Sequence, residues 1–173
     1  MARLNLKACV RNIPDFPKPG ILFRDITTLL KDKKAFKTAV NALTNKYRNK
    51  KIDVVVAVEA RGFILGGAVA EKIGAGFVPV RKKGKLPWKT NSVTYELEYG
   101  TDTLEMHHDA IKPGDKVLIV DDLLATGGTV KAVTDLVKQL QGKIAGIAFL
   151  IELTDLKGKE KLKGYPVFSL IKY

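Results

Sequence analysis

Four short apolar runs set the frame of this chain: IDVVVAV (Ile52–Val58), GFVPVR (Gly76–Arg81), KVLIV (Lys116–Val120) and KIAGIAFLI (Lys143–Ile151). Each is β-branched or aliphatic along most of its length, which is how a strand reads when both faces are buried in a parallel sheet. Helix-compatible stretches separate them, Phe63–Ile73 ending near Gly74 and Thr126 to about Leu140 ending at Gly142. A glycine just past such a stretch is a helix stop, because it takes the left-handed conformation without a Cβ penalty. Strand, helix, strand in that order calls for right-handed crossovers, and so for an α/β fold with a parallel sheet core flanked by helices. At 173 residues, with no internal repeat and no linker-like tract, the chain reads as one domain, 1–173. That length buries a core without disulfides or structural metal.

Three segments stand outside the rhythm. NIPDFPKPG (Asn12–Gly20) holds three prolines and reads as extended and turning, and ILFRDITTLL after it as a short strand leading into a turn. From Lys34 to Tyr47 the spacing of Phe36, Val40, Leu43 and Tyr47 predicts an amphipathic helix. Lys82–Asn91 reads as an exposed loop and Val93–Met106 as a hairpin, with Gly100, Thr101 and Asp102 in its turn. A hairpin inserted between two sheet strands is placed to act as a lid over the carboxyl edge, where open α/β sheets bind ligands. Cys9 is the lone cysteine, which excludes an internal disulfide and suits a reducing cytoplasm. No apolar run reaches the roughly 18 residues of a membrane span, and the first residues lack a signal-peptide core.

The chemistry concentrates in VLIVDDLLATGGT (Val117–Thr129). A buried strand ends in Asp121 and Asp122, and Ala125, Thr126, Gly127, Gly128 and Thr129 then turn into a helix. Successive backbone N–H groups of such a turn, with the helix dipole behind them, cradle an anion of phosphate size. The two carboxylates one step earlier can accept bonds from the vicinal hydroxyls of a ribose, so the pair of features suggests a ribose 5-phosphate. No GxxxxGK[ST] or GxGxxG is present, which removes the P-loop and the dinucleotide fold. The net charge of +12 also suggests an anionic partner without choosing among nucleic acid, membrane and phosphorylated metabolite.

VLIVDDLLATGGT resembles the phosphoribosyl-diphosphate signature of type I phosphoribosyltransferases. The segments DFPKPGILFRDITTLL, VEARGF, RKKGKLP, YELEYGTDTLEMH and LIELTDLKGKEKL follow in the order of that family's adenine-using branch, from about Ile13 to Tyr173. The resemblance implies the type I phosphoribosyltransferase fold, with an N-terminal base-binding hood (1–33) and a flexible loop and hairpin lid (82–106). It implies purine salvage, in which 5-phosphoribose passes from phosphoribosyl diphosphate to N9 of adenine with Mg²⁺ held mainly through substrate diphosphate and ribose, giving AMP and diphosphate. A homodimer in the cytoplasm is expected, with neither nucleic acid nor membrane as partner.

Residue by residue, the resemblance assigns the ribose diol to Asp121 and Asp122 and the 5-phosphate to Ala125, Thr126, Gly127, Gly128 and Thr129. Diphosphate falls to Ala60 and Arg61, with Lys85 and Arg81 from the neighbouring loop. Glu98 is the expected acid–base group for the adenine proton, and Tyr99 closes over the site. Leu22 C=O, Phe23 and Arg24 N–H are expected at the adenine edge, with Leu153 over the other face of the base. Lys82, Lys83 and Lys89 read as solvated charge. Glu59 stands where some relatives carry aspartate. A transferase for hypoxanthine, guanine or xanthine is the near alternative, and a phosphoribosyl-diphosphate-sensing regulator the distant one, since no helix-turn-helix fits. Of the 30 basic residues 24 are lysines, spread over Lys31–Lys37, Lys46–Lys51 and Lys157–Lys163, so most of the excess is surface.

Overall fold

Proline fixes φ and removes an amide donor, and the three prolines of residues 12–20 accordingly lie in a loop between two short strands. These are β1 (Arg11–Ile13) and β2 (Phe23–Asp25), paired antiparallel with Ile13 opposite Phe23. The computed structural model describes residues 4–96 and 100–173, and the chain divides into two units, Met1–Ala42 and Leu43–Tyr173. In the first, the buried carboxylate of Asp25 accepts the backbone N–H and the hydroxyl of Thr27, both at 2.9 Å. This side-chain turn leads into a short helix α1 (Thr27–Lys31), with Ile26 as its N-cap, where the sequence suggested only a turn. Asp32 accepts the N–H groups of Lys34 and Ala35 at 2.8 Å and so starts α2 (Lys33–Tyr47), which runs into the second unit. The Ala35 amide is the main reason the Asp32 carboxyl lies below its usual value.

The second unit holds one seven-stranded sheet. Its elements are β3 (Val54–Val58), α3 (Arg61–Ile73), β4 (Gly76–Lys82), β5 (Thr90–Glu96), β6 (Thr101–His107), β7 (Lys116–Leu124), α4 (Gly128–Gln139), β8 (Lys143–Glu152) and β9 (Val167–Lys172). The sheet order is β5-β6-β4-β3-β7-β8-β9, with the five strands from β4 to β9 parallel and the β5–β6 hairpin antiparallel at one edge. The α/β expectation holds. β9 escaped the sequence reading because it is an edge strand, half-buried over most of its length, and lacks the fully apolar pattern of β3 and β7.

Alternation along the central strands decides what packs on each face. Val56, Val58, Ile119, Ile147 and Phe149 join Val130, Val133, Leu136 and Val137 of α4 in one core cluster. Val55, Ala57, Leu118 and Val120 are equally buried and point the other way. There α3 comes close enough that a Cβ on Gly66 would stand 2.6 Å from that of Ala57. Gly146 of β8 has a similar reason to be glycine, since its Cβ would meet Tyr47 Cε1 at 2.4 Å. The Tyr47 hydroxyl donates to the Ile147 carbonyl at 3.2 Å, and burial pushes it up to about 12. Gly146→Ala should therefore lower unfolding stability by about 1–3 kcal/mol, read as a lower urea midpoint at unchanged slope.

Candidate active site

The strand that carries the acid pair runs further than its sequence suggested. Residues Val54–Ala57 of β3 pair with Val117–Val120 of β7, and there the ladder on that side stops. On the other side β8 is long enough to keep pairing, Asp121 with Phe149, Leu123 with Ile151 and Leu124 with Glu152. Asp121 and Asp122 therefore lie within β7, on an overhang beside the gap where β3 has ended. The loop Glu59–Ala60 and the first turn of α3 occupy that end of the sheet. The Glu59–Ala60 peptide is cis.

Both acids are close to α3. Arg61 Nε donates to Asp122 Oδ2 at 2.8 Å, the Asp122 side chain being 10% exposed. Asp121 Oδ1 accepts the Asp122 N–H at 2.9 Å, and a Cβ on Gly62 would collide with it at 2.7 Å. Burial raises the Asp121 carboxyl well above its usual range, and the neighbouring Asp122 charge adds to this. Burial raises Asp122 too, against the opposing pull of Arg61. Two crowded carboxylates with raised values at a sheet's carboxyl edge mark a site where a polar ligand or a cation replaces lost water.

Beyond them, residues 125–127 turn into α4, and Gly127 is its N-cap at φ +82°. Among the described residues no side chain caps this end, which leaves the first amides of α4 to a ligand. A cavity of about 90 Å³, lined by Asp121 and residues 123–130, opens in front of them. It has room for a few waters, the scale of a phosphate group. The turn is held from two sides. Thr129 Oγ1 donates to the Tyr95 hydroxyl oxygen at 3.4 Å, so the β5–β6 hairpin does reach it. On the other side, a Cβ on Gly127 would stand 2.5 Å from the Gly158 carbonyl oxygen, and one on Gly158 only 2.2 Å from that of Ala125.

The basic loop after β4 is anchored, although it read as free. Lys85 Nζ and Arg81 Nη2 reach Glu59 Oε2 at 3.1 and 3.3 Å, and Gly84 N–H reaches the buried Glu105 at 3.0 Å. Lys82, expected as solvated charge, pairs with Asp102 at 2.9 Å. Asp102 in turn lies within β6, not in the hairpin turn, since that strand begins at Thr101 and Asp102 pairs with Tyr95. Glu98 and Tyr99 lie outside the described residues. Among the described residues, no group of three or more His, Cys, Asp or Glu could cage a metal.

In the N-terminal unit, Leu22 is exposed, Phe23 and Arg24 are half-buried, and the Phe23 ring meets Phe16 edge-on at 5.1 Å. In the other unit, Leu153 follows β8 directly, half-buried, its N–H donating to the Leu124 carbonyl at 2.9 Å.

A family model described as phosphoribosyl transferase domain matches residues 27–172. The chain is 58% identical over 168 residues to the adenine phosphoribosyltransferase of Halothermothrix orenii, covering 97% of this chain and 99% of that one. The chain belongs to the adenine phosphoribosyltransferase family. The crystal structure of the Thermoanaerobacter pseudethanolicus adenine phosphoribosyltransferase matches with a TM-score of 0.94 at 55% identity, over 97% of this chain and 98% of that one. The Saccharomyces cerevisiae enzyme, complexed with an imino-altritol bisphosphate and adenine, matches with a TM-score of 0.90 at 43% identity, over 95% and 96%.

As a member of the adenine phosphoribosyltransferase family, the chain has the type I fold expected of it. Two residues of its site escaped the sequence reading. Gly158 sits among the lysines of Lys157–Lys163, which read as surface charge, and only its backbone approach to Ala125 reveals what it does. Glu59 read as a conservative motif position. An isolated acid directly after a buried strand was the available signal, since burying it without partners is costly.

Proposed function

We infer that this chain transfers 5-phosphoribose from phosphoribosyl diphosphate to N9 of adenine, releasing diphosphate and forming AMP. The observation that carries the reading is one juxtaposition: an acid pair on the β7 overhang, a phosphate-sized cavity over free helix amides, and the Arg61 loop across the gap. In this reading Ala125–Thr129 hold the 5-phosphate, and Asp121 and Asp122 accept the ribose hydroxyls. Ala60 N–H, Arg61, Lys85 and Arg81 hold the diphosphate, where Arg61 can offer a fork of two donors.

The bond from ribose C1 to the diphosphate oxygen breaks and the bond to N9 forms, through a carbon centre with oxocarbenium character. Asp121 and Asp122 stabilise that positive charge from fixed positions. The N9 proton goes to Glu98, and Tyr99 excludes water. Leu22 C=O and Arg24 N–H read the donor and acceptor of the adenine edge, Phe23 stacks on it, and Leu153 offers it an apolar face. Residues 1–33 thus act as the base-binding hood of one phosphoribosyltransferase domain. Mg²⁺ suits this donor set, because it commonly binds through one or two carboxylates plus substrate phosphates and keeps its waters. Asp121 and Asp122 are the carboxylates nearest to hand, and the ion would neutralise charge on the departing diphosphate. The lone Cys9 agrees with a reducing cytoplasm; among the described residues no helix is long and apolar enough to cross a membrane. We expect a homodimer.

A panel of bases with phosphoribosyl diphosphate and MgCl₂ tests the reading. Adenine should give AMP, and hypoxanthine, guanine and xanthine should react at least about 100-fold more slowly, because their edges reverse the donor and acceptor that backbone groups read. An oxopurine rate equal to the adenine rate overturns the assignment of the base.

A further inference from the structure

Glu59 has no place in the chemistry just described, yet three groups converge on its carboxylate. Its side chain, 11% exposed, closes the end of β3 directly before Ala60 and Arg61. Oε1 accepts the backbone N–H of Lys82 at 2.7 Å, while Oε2 takes Lys85 Nζ at 3.1 Å and Arg81 Nη2 at 3.3 Å. Arg81 Nη1 also donates to the Lys85 carbonyl at 3.2 Å, so Arg81 is bound to the segment that carries Lys85 as well as to the acid. Burial alone would raise the Glu59 carboxyl; the Lys82 amide and the two cations outweigh it and hold it below its ordinary value. It is an anion at neutral pH.

We propose that Glu59 is a positioning residue for diphosphate: its carboxylate holds Lys85 and Arg81 as a preset cationic pair beside Ala60 and Arg61. The proposal rests on the phosphoribosyl-transfer reading. A lysine on a free loop must be ordered in every binding event, and that ordering subtracts from affinity. Here it is completed when the protein folds, because three donors of residues 81–85 meet on one acid. The arrangement has a counter-effect, since an acid next to an anion site repels the ligand. Two cations share its Oε2, so the local charge still favours a polyanion, and the ordering dominates.

The test uses Glu59→Gln, which keeps the size and an acceptor for the Lys82 amide but removes the charge. Two quantities should rise about tenfold, the loss of one well-ordered charge-assisted contact: KM for phosphoribosyl diphosphate and the calorimetric Kd for inorganic diphosphate with MgCl₂. KM for adenine should stay within about twofold. Glu59→Asp, which retains a carboxylate, should recover most of the loss. Asp102→Asn, which releases only Lys82 from the same loop, should leave diphosphate affinity within about twofold. Unchanged or tighter diphosphate binding by Glu59→Gln overturns the proposal, and so does a uniform fall in every parameter that Glu59→Asp does not relieve. The diphosphate titration needs no turnover. It therefore reports on Glu59 even where the base panel rejects adenine, and failures of the two readings stay distinct.

Discussion

Gly127→Val is expected to lower kcat/KM for phosphoribosyl diphosphate by at least about 100-fold while the sheet remains folded. Two separate penalties fall on this position. Its φ of +82° is one that a β-branched residue takes only under strain. Its Cβ would also lie 2.5 Å from the Gly158 carbonyl oxygen, and backbone on that side cannot rotate away as a side chain could. The turn must therefore shift, and it carries the amides that face the phosphate. A displacement near 1 Å in a positioning element is enough for a loss of about 10²-fold. Gly164→Ala separates the two penalties, since Gly164 has φ +93° and nothing within 4 Å of its Cβ position. It should cost some stability and leave kcat/KM nearly unchanged. Steady-state kinetics with circular dichroism on both variants decides the matter; a Gly127→Val enzyme with normal kinetics would remove the turn from the site.

That argument draws on a residue the sequence displayed and on one it concealed, and the split is general here. β3, β7 and β8 were legible because strands buried on both faces must be apolar throughout. The phosphate turn was legible because close backbone approach to an anion demands glycine next to small hydroxyl residues. What stayed hidden depends on chain segments distant in sequence. The strand at Asp121 and Asp122 continues because β8 supplies partners as far as Glu152, a length that KVLIV by itself cannot announce. Lys82 looked like solvent-facing charge because Asp102, its partner, comes from another strand, and the anchoring of Lys85 stayed hidden because Glu59 lies 26 residues earlier. Gly158 was unreadable for the same reason: among lysines a glycine resembles a loop, and its purpose lies 33 residues earlier, at Ala125. The edge strand β9, half-buried, offers no periodicity strong enough to stand out.

Asp121→Asn is expected to move activity and stability in opposite directions. Loss of the negative charge that faces the developing positive charge on ribose should reduce kcat by about 10²–10³-fold, the scale seen when one preorganised electrostatic group is removed. Stability should rise instead. Burial, reinforced by the Asp122 charge, raises the Asp121 carboxyl well above its ordinary 3.8, so the native state binds this proton more tightly than the unfolded chain does. Ionising Asp121 in the folded protein therefore costs stability. The cost is absent below the ordinary value, grows as pH climbs toward the raised one, and is complete above it. Asparagine keeps the acceptor for the Asp122 N–H, now at 2.9 Å, and never ionises. The melting temperature of Asp121→Asn should exceed that of the parent by about 2–4 °C at pH 8, the equivalent of about 1 kcal/mol for a chain of this size. The difference should shrink as the pH is lowered toward 4. Asp122→Asn provides the contrast, since it breaks the 2.8 Å ion pair with Arg61 and should lose activity with no gain in melting temperature. Thermal melts across pH together with kinetics test both halves: a slow Asp121→Asn enzyme that is no more stable refutes the burial cost, and a stable one with full activity removes Asp121 from the reaction. A site that stores such a cost on the β7 overhang has been shaped for a charged ligand at the expense of its own fold, the trade-off common to active sites.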